Sequence, residues 1–210
     1  MLIHPARFWN FMARGYARRR VKDTKSYQHK LDITASYLQP TDTVFEFGCG
    51  SGTTSLIHAP RVSHIDAIDF SSEMIAIANE KASAEEIQNV KFSISTLQDW
   101  PQPQNGSRYD AVLGMSILHL LPDLDDALEQ VHKLMKPGAY FFSSTVCLGD
   151  MSAFIYLALA PFGALGLLPK VLPLKADELA ERMKAHGFTI ESTWRPKDDA
   201  TVFIVARKPV

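Results

Sequence analysis

Two carboxylates flank a glycine-rich run in the first third of the chain. Glu46 precedes the run Gly48–Gly52, whose glycines are spaced GxGxG, and Asp69 follows about 20 residues after the first glycine. Glycines let backbone N–H groups approach a ligand closely. A carboxylate at Glu46 favours a cationic or donor group and repels a phosphate, whereas an acid at Asp69 accepts hydrogen bonds from ribose hydroxyls. We therefore predict a site for a ribose-bearing ligand with a cationic or donor group.

These residues lie at the ends of elements that alternate between strands and helices. We predict strands at 43–47, 64–69, 90–94, 109–115 and 139–146, and helices at 53–59, 72–82, 123–136 and 175–186. Two further β-rich runs, 188–194 and 201–206, can pair as an antiparallel hairpin. This order favours an α/β fold with a doubly wound, mostly parallel sheet of seven strands. Ligands of such sheets bind beyond the carboxyl ends of the strands.

Local signals predict where several helices begin and end. Ser71 or Ser72 is a suitable N-cap for the helix at 72–82. Pro137 and Gly138 are expected to end the helix at 123–136, and Gly187 to end the last helix. Two more helices, at about 5–19 and 25–38, are expected before the first strand.

The order of motifs resembles that of the class I S-adenosylmethionine (SAM)-dependent methyltransferase family. The resemblance rests on Glu46, the GxGxG run and Asp69, and it covers about residues 40–208. It is closest in type to the small-molecule methyltransferases of ubiquinone and menaquinone biosynthesis. It implies a Rossmann-like fold, SAM as cofactor and S-adenosylhomocysteine as product. The chain would then have a helical cap at 1–39 and a SAM-binding methyltransferase domain at 40–210.

The resemblance also implies which side chains and backbone groups contact the cofactor. The glycines would approach its amino-acid part, Asp69 its ribose and Phe70 its adenine. Met115 and Ser116 would flank the methionine part, and Met74 lies against adenine or in the core. The full set is Glu46, Gly48, Cys49, Gly50, Gly52, Asp69, Phe70, Met74, Thr96, Leu97, Met115 and Ser116.

Near the predicted site, the residues after the third strand differ from the family pattern, and His119 has two alternative roles. Many relatives carry Gly-Asp-Ala after the third strand, where this chain has Ser95-Thr96-Leu97, so the adenine-binding acid is missing unless Gln98 or Asp99 replaces it. His119 would stand near the methyl group, either as a structural histidine or as a general base that orients the acceptor.

An uncharged apolar segment at 151–169 indicates the chemical class of the acceptor. Its length is borderline for a membrane span, and Pro161, Gly163 and Gly166 interrupt it in the middle. We therefore predict a lid insertion at 150–170. A membrane-surface element or simple core packing are the alternatives. The expected acceptor is a small, apolar or amphipathic molecule, in a pocket lined by Tyr16, Tyr27, His29 and Tyr156.

Charge is unevenly distributed along the chain. Residues 1–30 hold eight Lys and Arg against one acid, a charge of +7, which leaves −8 for the remainder of a chain with net charge −1. The basic segment indicates either a solvated helix or a surface for an anionic partner, such as a membrane. No nucleic-acid substrate is expected, because the Asn-Pro-Pro-aromatic motif of adenine methylation is missing.

Two cysteines without metal spacing, and no secretory signal, favour a metal-free cytoplasmic protein, peripheral to the membrane if the basic segment binds there.

Two other functions share the glycine run and Asp69. A non-catalytic SAM-binding module would bind the cofactor without turnover. A nicotinamide-dependent oxidoreductase is disfavoured, because Thr53 breaks the GxGxxG fingerprint and Glu46 carries the wrong charge for a pyrophosphate.

Overall fold

A computed structural model describes residues 5–18, 23–102, 108–150, 172–196 and 199–210. Two helices, α1 (Pro5–Ala17) and α2 (Thr24–Tyr37), precede the first strand. The chain then alternates through β1 (Thr43–Phe47), α3 (Thr53–His58), β2 (His64–Asp69), α4 (Ser72–Ala84), β3 (Val90–Ile94), β4 (Tyr109–Met115), α5 (Leu124–Leu134) and β5 (Met135–Val146). It ends with α6 (Ala176–Ala185), β6 (Thr189–Trp194) and β7 (Thr201–Arg207).

The seven strands form one sheet in the order β3-β2-β1-β4-β5-β7-β6. Strands β1 to β5 are parallel, and β7 runs antiparallel to both of its neighbours. The direction in which strands are added reverses between β1 and β4, which is the position where doubly wound sheets bind ligands. The predicted fold class, including the antiparallel C-terminal strands, is confirmed.

Apolar side chains cover both faces of this sheet, as the predicted helices on two sides require. One face packs α5 and α6 against Phe45, Phe47 and Phe141. The other packs α3 and α4 against Ile65, Ala67 and their neighbours. Because alternate residues of each strand point to opposite faces, the strands are buried on both sides and read as nearly continuous apolar runs.

Helix α2 lies along the second face and runs opposite to the strands. Tyr37, at its end, packs on Tyr140 near the middle of β5, with ring centroids 4.7 Å apart. Lys30, two turns earlier, reaches Ser144 near the carboxyl end of the same strand. The first half of α2 therefore lies at the ligand-binding edge of the sheet.

One predicted helix boundary is wrong. Helix α5 ends at Leu134, and Pro137 and Gly138 lie within β5 instead of ending the helix. They form an irregularity in which Met135 pairs with Tyr109 before the register shifts, and Gly138 has a positive φ of 81°. The other two predicted caps are confirmed: Ser71 accepts a hydrogen bond from the Met74 N–H, and Gly187 follows the end of α6.

The described helices include none that is long and apolar enough to cross a membrane. The predicted lid at 150–170 lies almost entirely outside the described residues. Its role therefore stays a prediction.

Candidate functional site

The three glycines after β1 all have positive φ, but they are required for different reasons. A Cβ on Gly48 would lie 2.6 Å from Ile117, and a Cβ on Gly52 would lie 2.7 Å from Phe92 and 2.8 Å from Ala78. Both glycines thus allow close packing within the protein. A Cβ on Gly50, at φ +53°, would meet no atom within 4 Å. The glycine loop therefore leaves open space at Gly50, in the middle of the predicted site.

Asp69 holds this loop in place from the end of β2. Its two carboxylate oxygens accept hydrogen bonds from the Gly50 N–H and the Ser71 N–H, both at 2.9 Å. Burial raises the pKa of Asp69, although these two hydrogen bonds oppose the shift. Cys49 completes the junction, because its N–H donates to the Ile68 carbonyl at 2.9 Å. The predicted ribose acid thus lies directly against the glycine loop.

Lys81, on α4, holds the second half of the glycine loop through Ser51 and Thr53. Its ammonium donates to the Ser51 carbonyl, the Ser51 hydroxyl and the Thr53 hydroxyl at 2.9 to 3.0 Å. The sequence reasoning missed this residue, because no local pattern indicates that the third turn of α4 faces the loop.

Glu46 is a buried carboxyl at the end of β1, only 2% exposed. It accepts a hydrogen bond from the Ser55 hydroxyl of α3. Burial raises its pKa to about 7, and the Ser55 hydrogen bond only partly offsets this. A cationic group placed against Glu46 would favour the ionised carboxylate and lower this pKa.

The raised pKa of Glu46 predicts a pH-dependent affinity for a ligand with an ammonium group. The carboxyl is mostly protonated below pH ~7 and ionised above it, so affinity for S-adenosylhomocysteine should rise about tenfold between pH 6 and pH 8. Calorimetric titration at these pH values measures the effect. The variant Glu46→Gln should bind more weakly and show a flat profile; a profile as steep as that of the wild type would assign the titration to another group.

The residues that are predicted to contact adenine follow β2 and β3. Phe70 is partly exposed, whereas Met74 and Leu97 are almost fully buried. The burial of Met74 favours the core role, and its contact with adenine stays a prediction. The Thr96 hydroxyl donates to the Asp99 carboxylate at 2.7 Å, so an acid does lie beside the tip of β3.

At the end of β4, the chain turns sharply at Ser116. This residue has a φ of +60°, rare for a non-glycine residue, and its N–H donates to the Ser144 carbonyl at 2.7 Å. Ser116 is exposed and Met115 partly so, at the reversal point of the sheet. The structure thus brings both predicted residues to the edge that also holds the glycine loop.

His119 is buried just beyond this turn. Its Nδ1 lies 3.5 Å from the Val146 N–H, and burial lowers its pKa to about 4. The imidazole is therefore neutral near pH 7 and a weak base. These features favour the structural alternative, and the catalytic role stays a prediction.

The predicted acceptor-lining residues do not all lie together. Tyr27 is partly buried on α2, and burial raises its pKa while the neighbouring Thr54, at the start of α3, acts in the opposite direction. His29 is exposed and packs on Trp194, with ring centroids 4.4 Å apart. Tyr16 is 46% exposed on α1 and contacts Trp9. Tyr156 lies outside the described residues.

Lys30 is a second residue that the sequence reasoning missed. Its ammonium donates to the Ser144 hydroxyl at 3.1 Å, and among the ion pairs of the described residues none involves Lys30. Burial lowers its pKa, while the more distant charges of Asp199 and Asp23 act in the opposite direction. A half-buried cation with a neutral partner therefore faces the edge that carries Ser116.

Comparison with known proteins identifies the family. A family model described as "Methyltransferase domain" matches residues 38–195, which span β1 through β6. The chain belongs to the class I SAM-dependent methyltransferases. Its predicted cofactor, SAM, is thereby confirmed at the level of the family.

Three similar proteins show how far this likeness extends. Ubiquinone biosynthesis O-methyltransferase from Xanthomonas axonopodis is 30% identical over 171 residues, covering 77% of this methyltransferase and 69% of that protein. The protein of the same name from Acinetobacter baumannii is 26% identical over 153 residues, or 70% of this chain. The match spans 64% of that relative, which is less than two thirds of its length.

The third is geranyl diphosphate C-methyltransferase from Streptomyces coelicolor, solved with Mg²⁺, geranyl diphosphate and S-adenosylhomocysteine. It superposes with a TM-score of 0.73 over 97% of this chain and 96% of its own, at 15% identity. At this identity the likeness shows the shared fold of the two methyltransferases.

Proposed function

We propose that this methyltransferase transfers a methyl group from SAM to a small, apolar or amphipathic acceptor. The observation that carries the proposal is the open space at Gly50, in a loop that Asp69 holds by a hydrogen bond and that directly follows the buried Glu46. When bound, SAM supplies a methyl group that its sulfonium already activates.

The charges around the glycine loop fit the two ends of an amino acid. The methionine part of SAM carries an ammonium and a carboxylate. Buried Glu46 suits the ammonium, and the half-buried Lys30 suits the carboxylate. Asp69 would accept hydrogen bonds from the ribose hydroxyls, and the partly exposed ring of Phe70, the next residue, would lie along the adenine.

The protein's own task is positioning. Transfer of an activated methyl group mainly requires that the acceptor atom, the methyl carbon and the sulfur lie in line. The rigid turn at Ser116 and the hydrogen-bonded loop at Asp69 supply fixed reference points for this alignment. Because His119 is a weak base, an acceptor group that ionises readily on its own suits this site best.

Support for an apolar or amphipathic acceptor comes from the apolar segment at 151–169 and from the names of the relatives. Ubiquinone biosynthesis and geranyl diphosphate both refer to molecules with isoprenoid chains. Phenolic quinone precursors are therefore the first acceptors to assay with methyl-labelled SAM.

Calorimetric titration with S-adenosylhomocysteine, with NADH in parallel, tests the cofactor. We expect micromolar binding of S-adenosylhomocysteine alone. NADH binding in its place would support the oxidoreductase alternative and overturn the proposal. Cofactor binding without labelled product on any acceptor would support the non-catalytic SAM-binding module.

A further inference from the structure

One face of α1 carries an exposed aromatic ring among arginines. Arg7, Phe11 and Arg14 lie on this helix, and Arg18 directly follows it. At 100° per residue these four side chains fall within about 60° around the helix axis. All four are exposed, and Phe11 is 87% exposed. We call this set the outer stripe.

A second side of α1, adjacent to the outer stripe, fixes the helix to the domain. Ala13 is fully buried, and the Asn10 side-chain carbonyl accepts hydrogen bonds from the Ser71 hydroxyl at 2.6 Å and the Glu73 N–H at 3.4 Å. These partners lie at the start of α4, next to Asp69. Because this side is anchored, the outer stripe faces solvent in the folded protein.

Within the part of the chain that the structure describes, the arginines of the outer stripe have no carboxylate partners. Among the described residues, the ion pairs do not include Arg7, Arg14 or Arg18. The segment 1–30 as a whole carries +7, in a chain whose remainder carries −8. Three of the eight basic side chains of this segment lie on the outer stripe, on the same face as the exposed phenyl ring of Phe11.

We propose that the outer stripe docks the protein onto an anionic lipid bilayer. A helix of this kind lies in the interface plane, with its aromatic side chain in the acyl boundary and its basic groups at the headgroups. The long arginine side chains can reach anionic headgroups on either side of the inserted Phe11. Asn10 and Ser71 would keep α1 attached to the domain while it docks.

The chemistry of the stripe favours a bilayer over other anionic or apolar partners. A stable protein interface buries about 800 Å² and roughly 20–30 residues on each side, whereas the outer stripe consists of four side chains. Duplex nucleic acid would satisfy the arginines through its phosphates but would leave Phe11 in water. A lipid surface provides both anionic charge and an apolar interior within one side-chain length.

Co-sedimentation with vesicles tests the proposal on the full chain without cofactor. Vesicles of phosphatidylcholine and phosphatidylglycerol in equal amounts are compared with pure phosphatidylcholine. We expect binding to the anionic vesicles only, weakened by 0.5 M salt. Phe11→Ser should lower the partition coefficient about tenfold, and Arg14→Gln about fivefold.

Two matched variants control for general loss of apolar or basic surface. Ile94 is 61% exposed on edge strand β3, and Arg61 is exposed after α3. Ile94→Ser and Arg61→Gln should bind vesicles like the wild type. Unchanged affinity for S-adenosylhomocysteine would show that Phe11→Ser is folded.

Several outcomes would overturn the proposal. These are equal binding to neutral vesicles, no binding to anionic vesicles, or full binding by Phe11→Ser. Dimerisation in sedimentation velocity that Phe11→Ser abolishes would assign the stripe to a second copy of the chain instead. The inference does not depend on the proposed acceptor, because the assay contains neither cofactor nor acceptor.

Discussion

Replacing Gly50 by valine is expected to abolish S-adenosylhomocysteine binding while the protein stays folded. The added side chain would enter the open space beside the loop, where no protein atom lies within 4 Å of a Cβ. It would therefore displace the ligand instead of a neighbouring residue. The positive φ of +53° costs a β-branched residue about 1–2 kcal/mol, which a domain of ordinary stability tolerates.

Valine variants at two other glycines distinguish exclusion of the ligand from backbone strain and from disrupted core packing. Gly138 also has a positive φ, but a Cβ there meets its nearest neighbour at an ordinary 3.6 Å, far from the loop. Gly138→Val should thus keep wild-type affinity. Gly52→Val should lower the melting temperature, because its Cβ would clash with Phe92 and Ala78. Calorimetry and thermal unfolding of the three variants distinguish these effects; wild-type affinity in a folded Gly50→Val variant would contradict the cofactor site.

Most of the fold was predictable because each signal was local. Strands buried on both faces are apolar runs bounded by polar turns, as at Val44–Phe47. The alternation of such strands with helices along the chain indicates a parallel sheet. The end of α5 was not predictable in this way. Val131, Leu134 and Met135 are all fully buried, and the switch from helix to strand after Leu134 depends on pairing of Met135 with Tyr109. Pro137 and Gly138 therefore mark an irregularity in the strand.

The candidate site likewise contains residues that could be predicted from the sequence and residues that could not. The glycine loop and Asp69 could be placed from sequence, because both follow strands whose carboxyl ends must meet at one edge. Lys81 and Lys30 could not, because their roles depend on how α4 and α2 pack on the sheet. The contact of Lys30 with Ser144 spans 114 residues of sequence, and no spacing rule connects two such positions.

Replacing Lys30 by methionine is expected to weaken S-adenosylhomocysteine binding about 10- to 100-fold. This range corresponds to the loss of a charge-assisted hydrogen bond, about 1.5–3 kcal/mol. Methionine keeps the length and the apolar stem of the side chain, so packing against β5 should persist. Lys25→Met, at an exposed position near the start of the same helix, is the matched control and should bind normally.

A second ligand determines whether Lys30 acts on the carboxylate. The compound 5′-methylthioadenosine shares the adenosine and sulfur of the cofactor but lacks the amino-acid carboxylate and ammonium. Lys30→Met should therefore bind it as the wild type does, and Lys30→Arg should recover part of the affinity for S-adenosylhomocysteine. Equal weakening of both ligands would indicate a general change at the sheet edge, and no weakening of either would remove Lys30 from the cofactor site. Because Glu46 would hold the opposite end of the same group, the affinity of Lys30→Met for S-adenosylhomocysteine should still rise between pH 6 and pH 8.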